Sequence, residues 1–129
     1  MEQLQGEKIT INPYKRVIGD ITRESIIRFQ IIFHCYFHNI YITPAKLKCL
    51  TILGMEGKCE LSKFCDLMKE KEVFLSVEST RNTLTDIQIE GLILKSGKYR
   101  KVIELHPDMK IQTTGNIWVD IDMLYRELV

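Results

Sequence analysis

His34 and His38, together with four cysteines, are the residues whose types suit metal or redox chemistry. The histidines are four apart, so a helix puts both rings on one face, a spacing at which imidazoles share a metal. Cys35, Cys49, Cys59 and Cys65 are the possible sulfur ligands. None forms a CxxC pair, and zinc sites do not use the Cys59-to-Cys65 spacing. The expectation is therefore no metal and no cofactor. The cysteines read as reduced, buried thiols and the histidines as the polar stripe of an apolar helix; the alternative is an interfacial pair that titrates near neutral pH. Asp120 and Asp122 lie two apart and point apart on a helix, which suits solvation and dipole pairing better than acid–base work. There is no nucleophile elbow, phosphate loop or dinucleotide-binding glycine motif, so the chain does not read as an enzyme.

The remaining chemistry is electrostatic. Over 129 residues, 18 Lys and Arg face 17 Asp and Glu, a net +1 that excludes a protein basic over its whole surface. Resolved by segment, residues 1–42 carry +1, 43–91 carry −1, 92–110 carry +3 and 111–129 carry −2. The excess comes from Lys95, Lys98, Arg100, Lys101 and Lys110. A basic cluster at one point suits phosphate contacts, which release counterions. Exposed hairpins also carry Lys for edge protection alone.

These residues need elements to hold them. The composition, 45% hydrophobic and 27% charged, is that of an ordinary globular protein. The N-terminus shows no signal peptide, which suggests a cytoplasmic protein. Ile26 to Ile42 is too short and too polar for the ~20 apolar residues of a membrane span. Residues 1–19 read as irregular or weakly extended, with a short strand over Lys8 to Ile11 stopped by Asn12-Pro13. A helix capped at Asp20 or Thr22 runs to about Asn39 and is apolar on nearly every side, so it needs cover on more than one face. Thr43-Pro44 starts a helix ended by Gly54. A short helix occupies about 61–70. Ser76 caps a fourth, in which Val77, Thr80, Leu84 and Ile87 share the core face and Gly91 ends the run. The opposite face centres on Asn82, with Ser79, Thr85, Glu78 and Asp86 beside it and Arg81 on its flank. A hairpin follows: Leu92 to Lys95, a Ser96-Gly97 tight turn, then Lys98 to Leu105. Met109 to Thr113 suggests another extended piece. After Gly115, the spacing of Ile117, Ile121, Leu124, Tyr125 and Leu128 predicts a C-terminal amphipathic helix.

The run Ser76-Val-Glu-Ser-Thr-Arg-Asn-Thr-Leu-Thr-Asp-Ile-Gln-Ile-Glu-Gly-Leu-Ile-Leu-Lys95, after two shorter helices and before a hairpin, resembles the recognition helix and wing of a winged helix-turn-helix domain. The resemblance covers about residues 43–106. Helices before and after it resemble, loosely, the dimerising arms of MarR-like regulators. The implied fold class is mainly α with a small β-hairpin. An N-terminal arm (1–42) would precede the winged helix-turn-helix (43–106), and a C-terminal helical arm (107–129) would follow. The implied function is duplex DNA binding in transcriptional regulation. Ser79, Arg81, Asn82 and Thr85 would meet base edges or nearby phosphates, and Lys95, Lys98, Arg100 and Lys101 the backbone. A homodimer would form through Phe29, Phe33, Tyr36, Phe37, Tyr41, Trp118 and Tyr125. The acidic helix after Ser76 leaves an alternative open: a structural or adaptor protein that uses the same scaffold for protein contacts.

Overall fold

A computed structural model describes residues 7–12, 16–112 and 117–120, with side chains over 22–112. In chain order the elements are β1 (Glu7–Asn12), β2 (Arg16–Ile21), α1 (Arg23–Phe37), α2 (Pro44–Glu56), β3 (Cys59–Glu60), α3 (Leu61–Glu70), α4 (Val77–Ile89), β4 (Ile93–Ser96), β5 (Val102–Leu105) and β6 (Ile117–Asp120). The protein is mainly helical with a small antiparallel sheet of order β3-β5-β4. A second sheet has the order β2-β1-β6, with β2 antiparallel and β6 parallel to β1.

The helices begin where side-chain oxygens cap them. Thr22 Oγ1 accepts from Ser25 N (3.1 Å), Thr43 Oγ1 from Lys46 N (3.2 Å) and Ser76 Oγ from Ser79 N (3.0 Å). The predicted strand at Lys8 to Ile11, the helix at 61–70 and the end of the hairpin at Leu105 all correspond to observed boundaries. Several expectations are corrected. Gly54 does not end α2, which continues to Glu56 and is closed by Gly57 N–H donating to Leu53 O. Val77 does not join the core face of α4; Thr80, Leu84 and Ile87 are buried, whereas Val77 is 47% exposed. Met109 does not begin an extended piece. It closes a 3₁₀ turn over Pro107–Met109, which Lys110 leaves in the left-handed region; Thr113 lies outside the described residues. The expected helix from Ile117 begins instead as strand β6, so Asp120 is not a helix-dipole partner. Ile-Trp-Val is β-branched and aromatic, and β1 gives it a partner, with Ile9 opposite Ile117 and Thr10 opposite Trp118. Residues 121–129 lie outside the described residues.

The core gathers around α2, in which Cys49, Leu50, Thr51, Ile52, Leu53 and Gly54 are all buried. Ile27, Ile31 and Cys35 of α1 join the same cluster, as do Phe64 and Met68 of α3, Leu84 and Ile87 of α4, and Ile93 and Ile103 of the sheet. Buried Thr51 is satisfied by donating to Leu47 O (2.7 Å), and buried Thr80 by donating to Ser76 O (3.2 Å). It is therefore the stretch Cys49–Gly54 of α2, not α1, that is buried at every position.

Gly54 marks the tightest approach. A Cβ there would stand 2.7 Å from Ile27 Cγ2 on α1 and 2.9 Å from Leu105 Cδ1 on β5. Leu105 can turn its methyl aside, but the Ile27 branch is held at χ1 by its own helix. Gly54→Ala should therefore destabilise the fold by about 1–3 kcal/mol, although Ala is the better helix former. Urea unfolding of both proteins reads this as a lower midpoint for the variant.

Candidate nucleic-acid interface

Two adjoining elements carry the residues expected to touch nucleic acid. On α4, Ser79, Arg81, Asn82 and Thr85 are all exposed, as are Glu78 and Asp86. The Ser79 hydroxyl accepts from Ser76 Oγ (2.9 Å), and Thr85 Oγ1 donates to Arg81 O (3.0 Å), so each retains lone pairs to offer but has a local partner. The charge of Arg81 also acts on α3. Burial raises the pKa of the Cys65 thiol, and the nearby Arg81 charge opposes that rise. Arg81 thus sits on the α3 flank of the helix rather than at the centre of its polar face.

The ribbon differs from a hairpin with a tight Ser96-Gly97 turn. Ile93 pairs with Leu105 and Ser96 with Val102, which leaves residues 97–101 as the connection. Lys98–Arg100 form a 3₁₀ turn in which Arg100 N–H donates to Gly97 O (3.0 Å). Gly97 has φ +80, and a Cβ there would meet Val102 Cγ2 at 2.9 Å, so the turn requires glycine. Lys98, Arg100 and Lys101 therefore sit at an exposed tip instead of along a strand, and Lys95 is half-buried on β4. Among the described residues no ion pair takes up any of these four cations. Among the described residues no hydrogen bond or ion pair joins the tip to the polar face of α4. They are connected through the chain, where Gly91 turns α4 into β4 and Leu92 N–H donates to Ile87 O (3.0 Å).

No protein-family model, curated protein or solved structure matches this chain.

The residues considered for metal chemistry lie elsewhere. The His34 and His38 rings stack at 4.1 Å, and His38 Nδ1 lies 2.8 Å from His34 O. Among the described residues no group of three or more metal-ligating side chains is gathered. Cys35, Cys49 and Cys65 are buried and Cys59 half-buried; burial, reinforced by Cys65, pushes the Cys49 thiol up to about 12. Among the described residues no helix is long and apolar enough to cross a membrane.

The expected interface residues divide. Phe29 and Phe33 stack at 4.7 Å and are half-buried, while Tyr36, Phe37 and Tyr41 are exposed. Trp118 falls on β6 and its side chain, like the whole of Tyr125, lies outside the described residues. Two residues with clear roles were not anticipated. Gln30 accepts from Gln112 N (2.7 Å) and donates to Gln112 O (2.6 Å), fastening the chain after β5 to α1. Tyr99, in the middle of the basic run, occupies the tip with its ring in solvent.

The pKa of His34 is lowered, first by burial and then by the neighbouring His38. The fold thus favours its neutral form, and the unfolded chain takes up the proton more readily. The resulting stability is complete above the ordinary value of 6.5 and is lost as pH falls through the lowered one. His34→Gln should flatten the loss of stability between neutral pH and about pH 5, read from urea midpoints across that range.

Proposed function

We propose that the protein is a non-catalytic DNA-binding protein of winged helix-turn-helix type that acts in transcriptional regulation. The order helix, short strand, helix, helix and two-strand ribbon supports this reading, as does the sheet order β3-β5-β4, in which the first short strand joins the ribbon. The observation that carries it is the ribbon tip, where Lys98, Arg100 and Lys101 are exposed without a carboxylate partner among the described residues. Such a tip binds phosphate oxygens with little dependence on sequence. Arg81, Asn82, Ser79 and Thr85 on α4 then supply base-edge or phosphate contacts, limited by Glu78 and Asp86 on the same helix.

Lys98→Ala with Arg100→Ala should weaken binding to random duplex DNA. The log–log salt slope should fall by about one per cation removed. Fluorescence anisotropy at several salt concentrations measures both, and an unchanged slope would refute the assignment.

The second copy expected here belongs on α1. Residues 29–45 contain no Asp, Glu, Lys or Arg, and Ile32, Tyr36, Phe37 and Tyr41 of this stretch are exposed. An uncharged aromatic face offers nothing to a charged partner and matches an identical face across a two-fold axis. A dimer also presents two ribbon tips to one duplex, which offsets a weakly basic α4. Tyr36→Ser with Tyr41→Ser should weaken self-association about tenfold or more in sedimentation equilibrium. A wild-type protein that sediments as a monomer throughout would contradict the dimer.

A second reading is an adaptor that uses the same scaffold to bind protein. It is favoured by the apolar residues exposed at both ends of α4, Leu75 and Val77 at one and Ile89 at the other. Absence of DNA binding at low salt would select it.

A further inference from the structure

The ribbon tip has a property that phosphate binding does not use. Tyr99 is 77% exposed and sits between Lys98 and Arg100. Tyr99 and Arg100 are consecutive non-glycine residues in the left-handed region, with φ of 58° and 55°. Such a backbone is unfavourable for a side chain of this size, and strain of this kind persists where the surrounding structure enforces it. Here the short reach from Ser96 to Val102 enforces it and holds the ring out on the turn. Lys98 Nζ stands 5.3 Å from the ring centroid, so the aromatic ring and the nearest cation form one unit. No acidic residue occurs between Ser96 and Lys101.

An aromatic ring in solvent, with Lys98 beside it and Arg100 and Lys101 next in the chain, has the two components of a single-strand binding site. The cations hold the backbone, and the ring stacks on a base. The interior of an intact duplex offers that ring no base face, because its bases already stack on one another. A frayed end, fork or gap does. The α4 face points the same way, because Glu78 and Asp86 lower its contribution to duplex docking and leave the tip dominant.

Resting on the DNA-binding reading, we propose that Tyr99 stacks on an unpaired base, so that the protein prefers DNA junctions carrying unpaired nucleotides over uninterrupted duplex. Lys98, Arg100 and Lys101 hold the adjoining phosphates.

Three labelled probes test this by fluorescence anisotropy: a blunt duplex, the same duplex with an unpaired single-stranded arm, and that arm made abasic. The abasic arm keeps every phosphate and removes the stacking partners. Wild type should bind the intact arm about tenfold more tightly than the blunt duplex, the gain expected of one base stack. The abasic arm should lose that gain. Tyr99→Ala should bring the ratio of armed-duplex to blunt-duplex affinity to about one, and Tyr99→Phe, which keeps the ring, should retain the wild-type ratio. Lys98→Ala with Arg100→Ala should weaken all three complexes together. Equal affinity for blunt and armed duplex, or for intact and abasic arms, would overturn the stacking proposal and leave DNA binding standing. Failure to bind any probe at low salt would overturn both.

Discussion

The close approach at Gly54 is the constraint on which the rest of the structure depends. At that point α1 presses on α2 from one side and β5 from the other, and there is no room for a methyl group. The contact ties the ribbon to the helices, because β5 is the central strand of its sheet and carries the returning arm of the turn. A ribbon fixed at its base has a defined tip, and the side chains at that tip gain a fixed direction. Gln30 adds a second fastening by holding Gln112 to α1 just beyond the sheet.

Charge and aromaticity are distributed around that frame in a way that divides labour. The helical body is nearly neutral, and its α4 surface pairs one arginine with two exposed acids. The ribbon tip collects cations with no local acid. Along α1, Phe29, Phe33 and Phe37 form a ladder of ring contacts, flanked by the exposed Tyr36. The phosphate contact proposed for the tip and the self-association proposed for the uncharged face are physically compatible because they draw on different forces. The first weakens with salt and the second does not.

Local signals made much of the fold legible in the sequence. Thr22, Thr43 and Ser76 announce helix starts because a short side-chain oxygen can satisfy an orphan N–H whatever the rest of the chain does. Leu61, Phe64 and Met68 keep helical spacing and are buried as the spacing implies. What local signals miss is decided by distant partners. Cys59-Glu60 is too short to read as a strand and becomes one by pairing with Val102 and Ile103. Ile117 to Asp120 has a helical apolar rhythm with the residues after it, yet Ile-Trp-Val also suits a strand, and β1 decides the outcome. Gly54 reads as a terminator because glycine usually ends helices, whereas here it serves close packing. At the candidate site, the residue types were readable and their setting was not. The register of β4 against β5 turns Lys98, Tyr99 and Arg100 from strand residues into a tip, and only that register exposes Tyr99 as the ring at its centre.

The proposed meeting point of nucleic acid and this protein is the ribbon tip. Amide chemical-shift mapping during titration with a short DNA duplex at low salt reads that contact residue by residue. The expected result is the largest shifts over residues 95–101, smaller ones over 78–86, and none propagating along the aromatic face of α1. Saturable binding whose shifts fall on α1 and spare the ribbon would contradict it.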